Sequence, residues 1–235
     1  MAGAAGLVQG LTGLGYSLVL VSLLVLAGGD VLSASITATV TCLFCQATII
    51  YRLRSRFSFP AFWPVALGAL IAVPAGVLLI AEFHEAAWLQ RGFGVFVAAV
   101  AIWLLVAPRR PHVTPKPQRL LGVGAGLLSG LAGGLFNTGG PPAALYVYSR
   151  PIQLDIAKVT LQWLFTGMAA YRLAAASAQG LVSSRLVLSG LRAAPLVVLG
   201  AFLGVKLAAR IRPERLRKIV YLLLVLIGLK LCLFP

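Results

Sequence analysis

Acidic residues are nearly absent from this 235-residue chain: there are five, Asp30, Glu82, Glu85, Asp155 and Glu214, all at segment ends or in loops. Charged residues of both signs make up 11%, where a soluble domain carries about 25%, so no polar face is available to meet water. No apolar run contains Asp, Glu or His. That leaves an intramembrane enzyme without its acid–base groups, and a proton- or sodium-coupled carrier without the mid-membrane carboxylate such proteins commonly keep. Carboxylate, His and Met ligands are too scarce for a metal-ion permease. His84 and His112 lie in loops without metal-ligand spacing. Cys42 and Cys45 form a Cys-x-x-Cys, but inside an apolar helix, where i and i+3 simply share a face, and Cys232 stands alone. No cofactor and no metal are expected.

What the chain has in quantity is apolar sequence. Sixty per cent of residues are hydrophobic. Apolar runs recur at roughly 16–28, 31–51, 61–81, 88–107, 159–178, 186–205 and 219–234, with a glycine-rich stretch at 120–147. A full-length run of this kind spans about 30 Å of hydrocarbon as a helix. The fold class expected is an all-α polytopic membrane protein of eight hydrophobic segments. The net charge of +15 does not indicate nucleic acid. Its Lys and Arg cluster in short loops between the apolar runs, where the positive-inside rule places them. The N-terminus has no basic region ahead of its apolar stretch, so a cleaved leader is not expected.

The chain also repeats itself. Gly6-Leu-Val-Gln-Gly10-Leu-Thr-Gly13 is echoed 120 residues later by Gly126-Leu-Leu-Ser-Gly130-Leu-Ala-Gly133. The same offset carries Tyr51-Arg52-Leu53 onto Tyr171-Arg172-Leu173, and a slightly larger one carries Gly76-Val77 onto Gly204-Val205 and Leu89 onto Leu216. A duplication this long sets the architecture: residues 1–107 and 119–235 are the two transmembrane repeats, joined by a cytoplasmic linker at 108–118. If all eight segments cross fully, Lys and Arg divide almost evenly between the two sides. If the glycine-rich segments 1–28 and 119–148 instead enter and leave on one side as broken hairpins, the division is 15 inside to 5 outside. The five are Arg91, Arg172, Arg185, Arg192 and Lys230. The second arrangement fits the positive-inside rule and makes each repeat a hairpin plus three crossings, so that the repeats are inverted.

Two segments concentrate residues that end helices: Gly13-Leu-Gly15, and Gly133-Gly134 through Asn137-Thr138-Gly139-Gly140-Pro141-Pro142. Pro141 and Pro142 suit the first turn of a helix starting near Gly140, with Asn137 and Thr138 as candidate caps. Irregular backbone at membrane depth is tolerated only where it is buried in protein or lines a cavity. Two breaks at matched repeat positions therefore point to a binding site. The outer glycines, Gly6, Gly10, Gly126 and Gly130, read as helix-packing positions.

In these motifs the chain resembles the sulfite exporter TauE/SafE family of membrane permeases. The resemblance rests on Gly6-Leu-Val-Gln-Gly-Leu-Thr-Gly-Leu-Gly-Tyr16 and on Gly126-Leu-Leu-Ser-Gly-Leu-Ala-Gly-Gly-Leu-Phe-Asn-Thr-Gly-Gly-Pro-Pro142 followed by Tyr146. Val73-Pro-Ala-Gly-Val77, Leu199-Gly-Ala-Phe-Leu-Gly-Val205 and Leu226-Ile-Gly-Leu-Lys230 support it. It covers essentially the whole chain. Tyr16 departs from the small residue or Phe common in relatives, which bears on substrate detail. The resemblance implies a multi-pass carrier of the bacterial inner (plasma) membrane for small sulfur-containing anions, such as sulfite and sulfonates.

An anion site follows independently from the residues. Half-helices beginning near Tyr16 and Gly140 would turn unpaired N–H groups and positive dipole ends toward the protein centre. The expected substrate-binding set is Gly13, Gly15, Tyr16, Gln46, Asn137, Thr138, Gly139, Gly140, Gln162 and Thr166, with Thr41 and Gln9 nearby. Arg52 and Arg172, repeat equivalents at opposite membrane faces in this topology, read as interface anchors. The expected partners are a small anion and the lipid bilayer, with no nucleic acid, and the 24.7 kDa size permits a monomer or a homodimer. Export by alternating access is the function expected, and import or exchange of another small anion is the alternative. An accessory scaffold would explain the helices but not the matched breaks.

Overall fold

Glycine decides which helices of this protein touch. The computed structural model describes residues 1–53, 56–106, 118–208 and 214–233, with side chains for all of these except 87 and 214–217. The described residues form ten helices and no strand. In order they are α1 (Ala2–Thr12), α2 (Tyr16–Leu26), α3 (Val31–Leu53), α4 (Phe59–Phe83) and α5 (Ala87–Val106), then α6 (Arg119–Phe136), α7 (Gly140–Tyr148), α8 (Leu154–Ala178), α9 (Ser184–Ala208) and α10 (Glu214–Leu233). Each half thus opens with two helices separated by a short break and continues with three longer ones. The expected linker lies outside the described residues except for Gln118, as do Arg54, Arg109, Arg110, His112, Lys116, Arg210 and Arg212 and the side chain of Leu216.

Five of the helices are long and apolar enough to cross a membrane: Val31–Leu53, Phe59–Phe83, Trp88–Val106, Arg119–Phe136 and Ser184–Ala208. Eight apolar segments are expected from the sequence, and α8 is the longest helix outside those five. That helix is 25 residues long, but its inner face carries Gln162, Thr166 and Arg172. Its polar groups face protein, and Gln162 and Arg172 are fully buried.

The tightest packing is backbone against backbone. A Cβ on Gly6 would stand 2.6 Å from the Val197 carbonyl oxygen of α9, and one on Gly10 would stand 2.9 Å from the Val205 nitrogen. In the other half, a Cβ on Gly130 would stand 2.8 Å from Ala69 Cα of α4, and one on Gly76 would stand 2.8 Å from Gly134 Cα. These positions are glycine because only a bare backbone lets the helices approach this closely. Contact order also gives direction. Residue numbers rise together along α1 and α9, and again along α4 and α6, so each pair runs parallel. The same holds for α3 and α9: Gly190 lies against Val40, and the Arg52 guanidinium lies 3.9 Å from the centre of the Phe202 ring. By contrast α7 folds back along α6, with Tyr146 beside Gly122 and Ala143 N donating to Ser129 Oγ at 2.9 Å.

Candidate functional site

Each break is built from backbone conformations that side chains resist. Gly13 and Gly15 both have positive φ, 77° and 95°, and they flank Leu14 between α1 and α2. Asn137, at φ 58°, is the single non-glycine residue with positive φ among the described residues, and it ends α6. Asparagine tolerates this region better than other side-chain-bearing residues because its short amide bonds locally.

Polar side chains replace the hydrogen bonds that the breaks forgo. In the first, Gln9 accepts the Tyr16 N–H through Oε1 at 2.9 Å and donates through Nε2 to Gln162 Oε1 at 3.2 Å and to the Gly13 carbonyl at 3.3 Å. Gln162 Nε2 donates to the same carbonyl at 3.1 Å. In the second, Ser129, the residue 120 positions after Gln9, accepts the Ala143 N–H. At this matched sequence position, Gln9 and Ser129 each accept a backbone N–H from the helix after the break, with different residue types. Asn137 Nδ2 joins the breaks, donating to Ser17 Oγ at 2.9 Å and reaching Cys42 Sγ at 3.6 Å.

Between the breaks lies a cavity of about 60 Å³. This is room for a few waters or one small oxyanion. Gly15, Tyr16, Gln46, Asn137, Thr138, Gly139 and Gly140 line it, together with Gln9, Ser17, Cys42 and Cys45. Leu14, Leu18, Leu104, Phe165 and Met168 form its apolar wall. Tyr16 OH and Gln46 Oε1 are buried with no hydrogen-bond partner. Two unsatisfied polar atoms on residues of one small cavity call for a ligand or water that supplies the missing bonds. The N-caps of α2 and α7, Gly15 and Gly139, have no side chain with which to cap. Pro141 and Pro142 carry no N–H and Ala143 N is taken, so Gly139 and Gly140 hold the N–H groups that α7 can offer.

Several expectations need correction. Asn137 and Thr138 do not cap α7, whose N-cap is Gly139. Asn137 instead ends α6 and bridges to α2, while Thr138 Oγ1 lies 3.5 Å from the Ala132 carbonyl. The start of α2 is not wholly unpaired either, since Gln9 holds the Tyr16 N–H. Gly13, Gln162 and Thr166 stand outside the cavity wall: Gly13 and Gln162 brace the first break, and Thr166 Oγ1 donates to the Gln162 carbonyl of its own helix at 2.8 Å.

Arg172 is the largest correction. It is no interface anchor but 1% exposed, the bulkiest fully buried side chain among the described residues. Its Nε donates to the Gly134 carbonyl at 2.9 Å, and Nη2 to the Leu135 carbonyl at 3.3 Å and to Ser35 Oγ at 2.8 Å. Nη1 donates to Thr39 Oγ1 and to the Ser35 carbonyl at 3.4 Å. The available signal was an arginine inside an apolar helix, which is rarely idle. Ser17 and Ser129 were also not foreseen at the site. Among the described residues, no group of three or more His, Cys, Asp or Glu could hold a metal ion.

Comparison with known proteins identifies a family. Residues 1–231 match the family described as sulfite exporter TauE/SafE. A protein of Cupriavidus necator named "Probable sulfite/organosulfonate exporter TauE" is 26% identical over 238 residues, covering 98% of this chain and 91% of that protein. No solved structure matches. The chain belongs to the sulfite exporter TauE/SafE family and is a multi-pass membrane transporter, not an enzyme.

Proposed function

We propose that this TauE/SafE transporter exports a small sulfur oxyanion, sulfite or an organosulfonate, through the cavity between its two chain breaks. The observation that carries the reading is the convergence of two helix starts with glycine N-caps, α2 and α7, on one small cavity whose Tyr16 OH and Gln46 Oε1 lack partners. Helix starts favour negative charge through their free N–H groups and their dipoles. The Tyr16 hydroxyl adds a neutral donor for an anion oxygen. Such a site holds an oxyanion without exposing charge to lipid. The outward direction is drawn from the name of the Cupriavidus necator relative.

The working cycle we infer is alternating access between two inverted repeats, residues 1–107 and 119–235. Support comes from the way packing exchanges when the halves are swapped: α1 lies parallel to α9 as α6 lies parallel to α4. The parallel run of α3 with α9, the fourth helix of the other half, is what inversion requires. No carboxylate is buried among the described residues. Flux then follows the anion's own gradient, or exchange, without a protein carboxylate cycling its proton.

The test is counterflow of labelled sulfite and of methanesulfonate in proteoliposomes, with and without proton and sodium gradients. Saturable exchange lost in Gly140→Trp, whose indole would fill the cavity, supports the reading. Absence of flux for both anions, from folded wild-type protein, sinks it.

A further inference from the structure

We propose that Arg172 determines the transporter's preference for anions, acting from behind the cavity wall as a fixed and unneutralised positive charge. This deepens the function proposed above and rests on it. A guanidinium has five N–H donors, and the five bonds of Arg172 match that number. All its acceptors are neutral: the carbonyls of Gly134, Leu135 and Ser35 and the hydroxyls of Ser35 and Thr39. The charge is therefore solvated by the protein but not cancelled. Among the described residues no carboxylate lies within ion-pair distance of Arg172, and none is buried anywhere. A buried cation without a counter-ion is costly, and it is retained where an anion arrives to complete it.

The placement fits that role. Arg172 lies one helical turn past Met168, which lines the cavity, and it grips the end of α6 just before Asn137, which lines it too. The carbonyls from Ala132 to Leu135, near the end of α6, are thus all accounted for. Thr138 N takes Ala132 O, Asn137 N takes Gly133 O, and Arg172 takes the next two. The guanidinium does not line the cavity, so it is a positioning residue, not a ligand. Its field reaches the bound anion across the break it holds, through surroundings of low dielectric. Its repeat equivalent Arg52 is exposed beside Phe202, so the matching position of the other half supplies no such buried charge. That difference within a duplicated Tyr-Arg-Leu motif is what singles Arg172 out.

The experiment compares binding of methanesulfonate with binding of dimethyl sulfone, a neutral analogue of similar shape, to purified full-length protein in nanodiscs. The readout is the ratio of their affinities, which a purely structural defect would not change. Arg172→Gln keeps an amide donor but removes the charge, and the ratio should fall about ten- to hundredfold. Arg172→Lys keeps the charge and should keep most of the ratio, even with weaker binding overall. Should Arg172→Gln fail to fold, Thr39→Glu sets a carboxylate against the guanidinium, cancelling its charge while leaving its clamp, and should lower the ratio equally. An unchanged ratio in folded Arg172→Gln or Thr39→Glu overturns the inference, as does a ratio lost equally in Arg172→Lys. Wild-type protein that binds neither sulfite nor methanesulfonate overturns the proposed function, and this inference with it. Wild-type binding with unmoved variant ratios overturns this inference alone.

Discussion

The two chain breaks do the same job with different chemistry. The first is held by neutral amides: Gln9 and Gln162 share the Gly13 carbonyl, and two glycines take up the left-handed backbone. The second uses one left-handed asparagine, one serine and a buried arginine. The residues that match across the sequence repeat thus brace its two breaks with different side-chain chemistry. A neutral brace shapes a binding site, whereas a charged brace also decides the sign of what enters.

The largest test of that contrast is Arg172→Met beside Arg52→Met. The first strips partners from three carbonyls and two hydroxyls in the protein interior and should cost about 3–5 kcal/mol. The second removes an exposed ring contact and should cost about 1 kcal/mol or less. Thermal unfolding in detergent reads both, and equal losses would erase the asymmetry. Next is Gly139→Ala against Gly15→Ala. A Cβ at Gly139 meets the Ser129 carbonyl and stands 3.0 Å from Met168 Cε, so α7 must leave α6 and anion flux should fall more than tenfold. At Gly15 the nearest atom, Val8 Cγ1, is 4.0 Å away, and the cost is backbone strain alone, about 1–2 kcal/mol.

Smaller effects separate the two brace residues that share a repeat position. Gln9→Leu frees the Tyr16 N–H and loses its bonds to Gly13 and Gln162, for about 2 kcal/mol in a membrane setting, while Ser129→Ala frees one N–H for about 1 kcal/mol. Unfolding in urea–detergent mixtures gives the ranking, and the reverse order would break the comparison. Smallest of all is the link between the breaks. Asn137→Gly and Ser17→Ala should each cost about 0.6 kcal/mol. The double variant should cost no more than either, since both remove the same bond.

Much of this was legible in the residue order. Glycine and proline punctuation located both breaks, because helix-ending residues leave a compositional mark, and α2 and α7 begin at Tyr16 and Gly140 as that punctuation implies. The packing role of Gly6, Gly10, Gly126 and Gly130 was equally readable from their spacing. The braces were not. Gln9 and Ser129 occupy one repeat position, but an amide and a hydroxyl do not look alike in a sequence. Gln162 and Thr166 were expected on the cavity because polarity inside an apolar helix reads the same whether it faces a ligand or a neighbour's backbone. Arg172 was misplaced because its motif matches Arg52. Its burial depends on Ser35, Thr39 and the end of α6, which are distant in sequence and meet only in the folded bundle.

The glycine seam of α1 has a consequence for how the protein is made. Its partner is α9, which starts at Ser184, whereas α6 finds α4 already synthesised. At roughly 5–20 residues per second, α1 waits on the order of 10–40 seconds between its own emergence and that of the helix that covers it. Through that interval its strip of bare backbone faces lipid or the insertion machinery. A helix synthesised well before its partner is thus among the last to reach its final place.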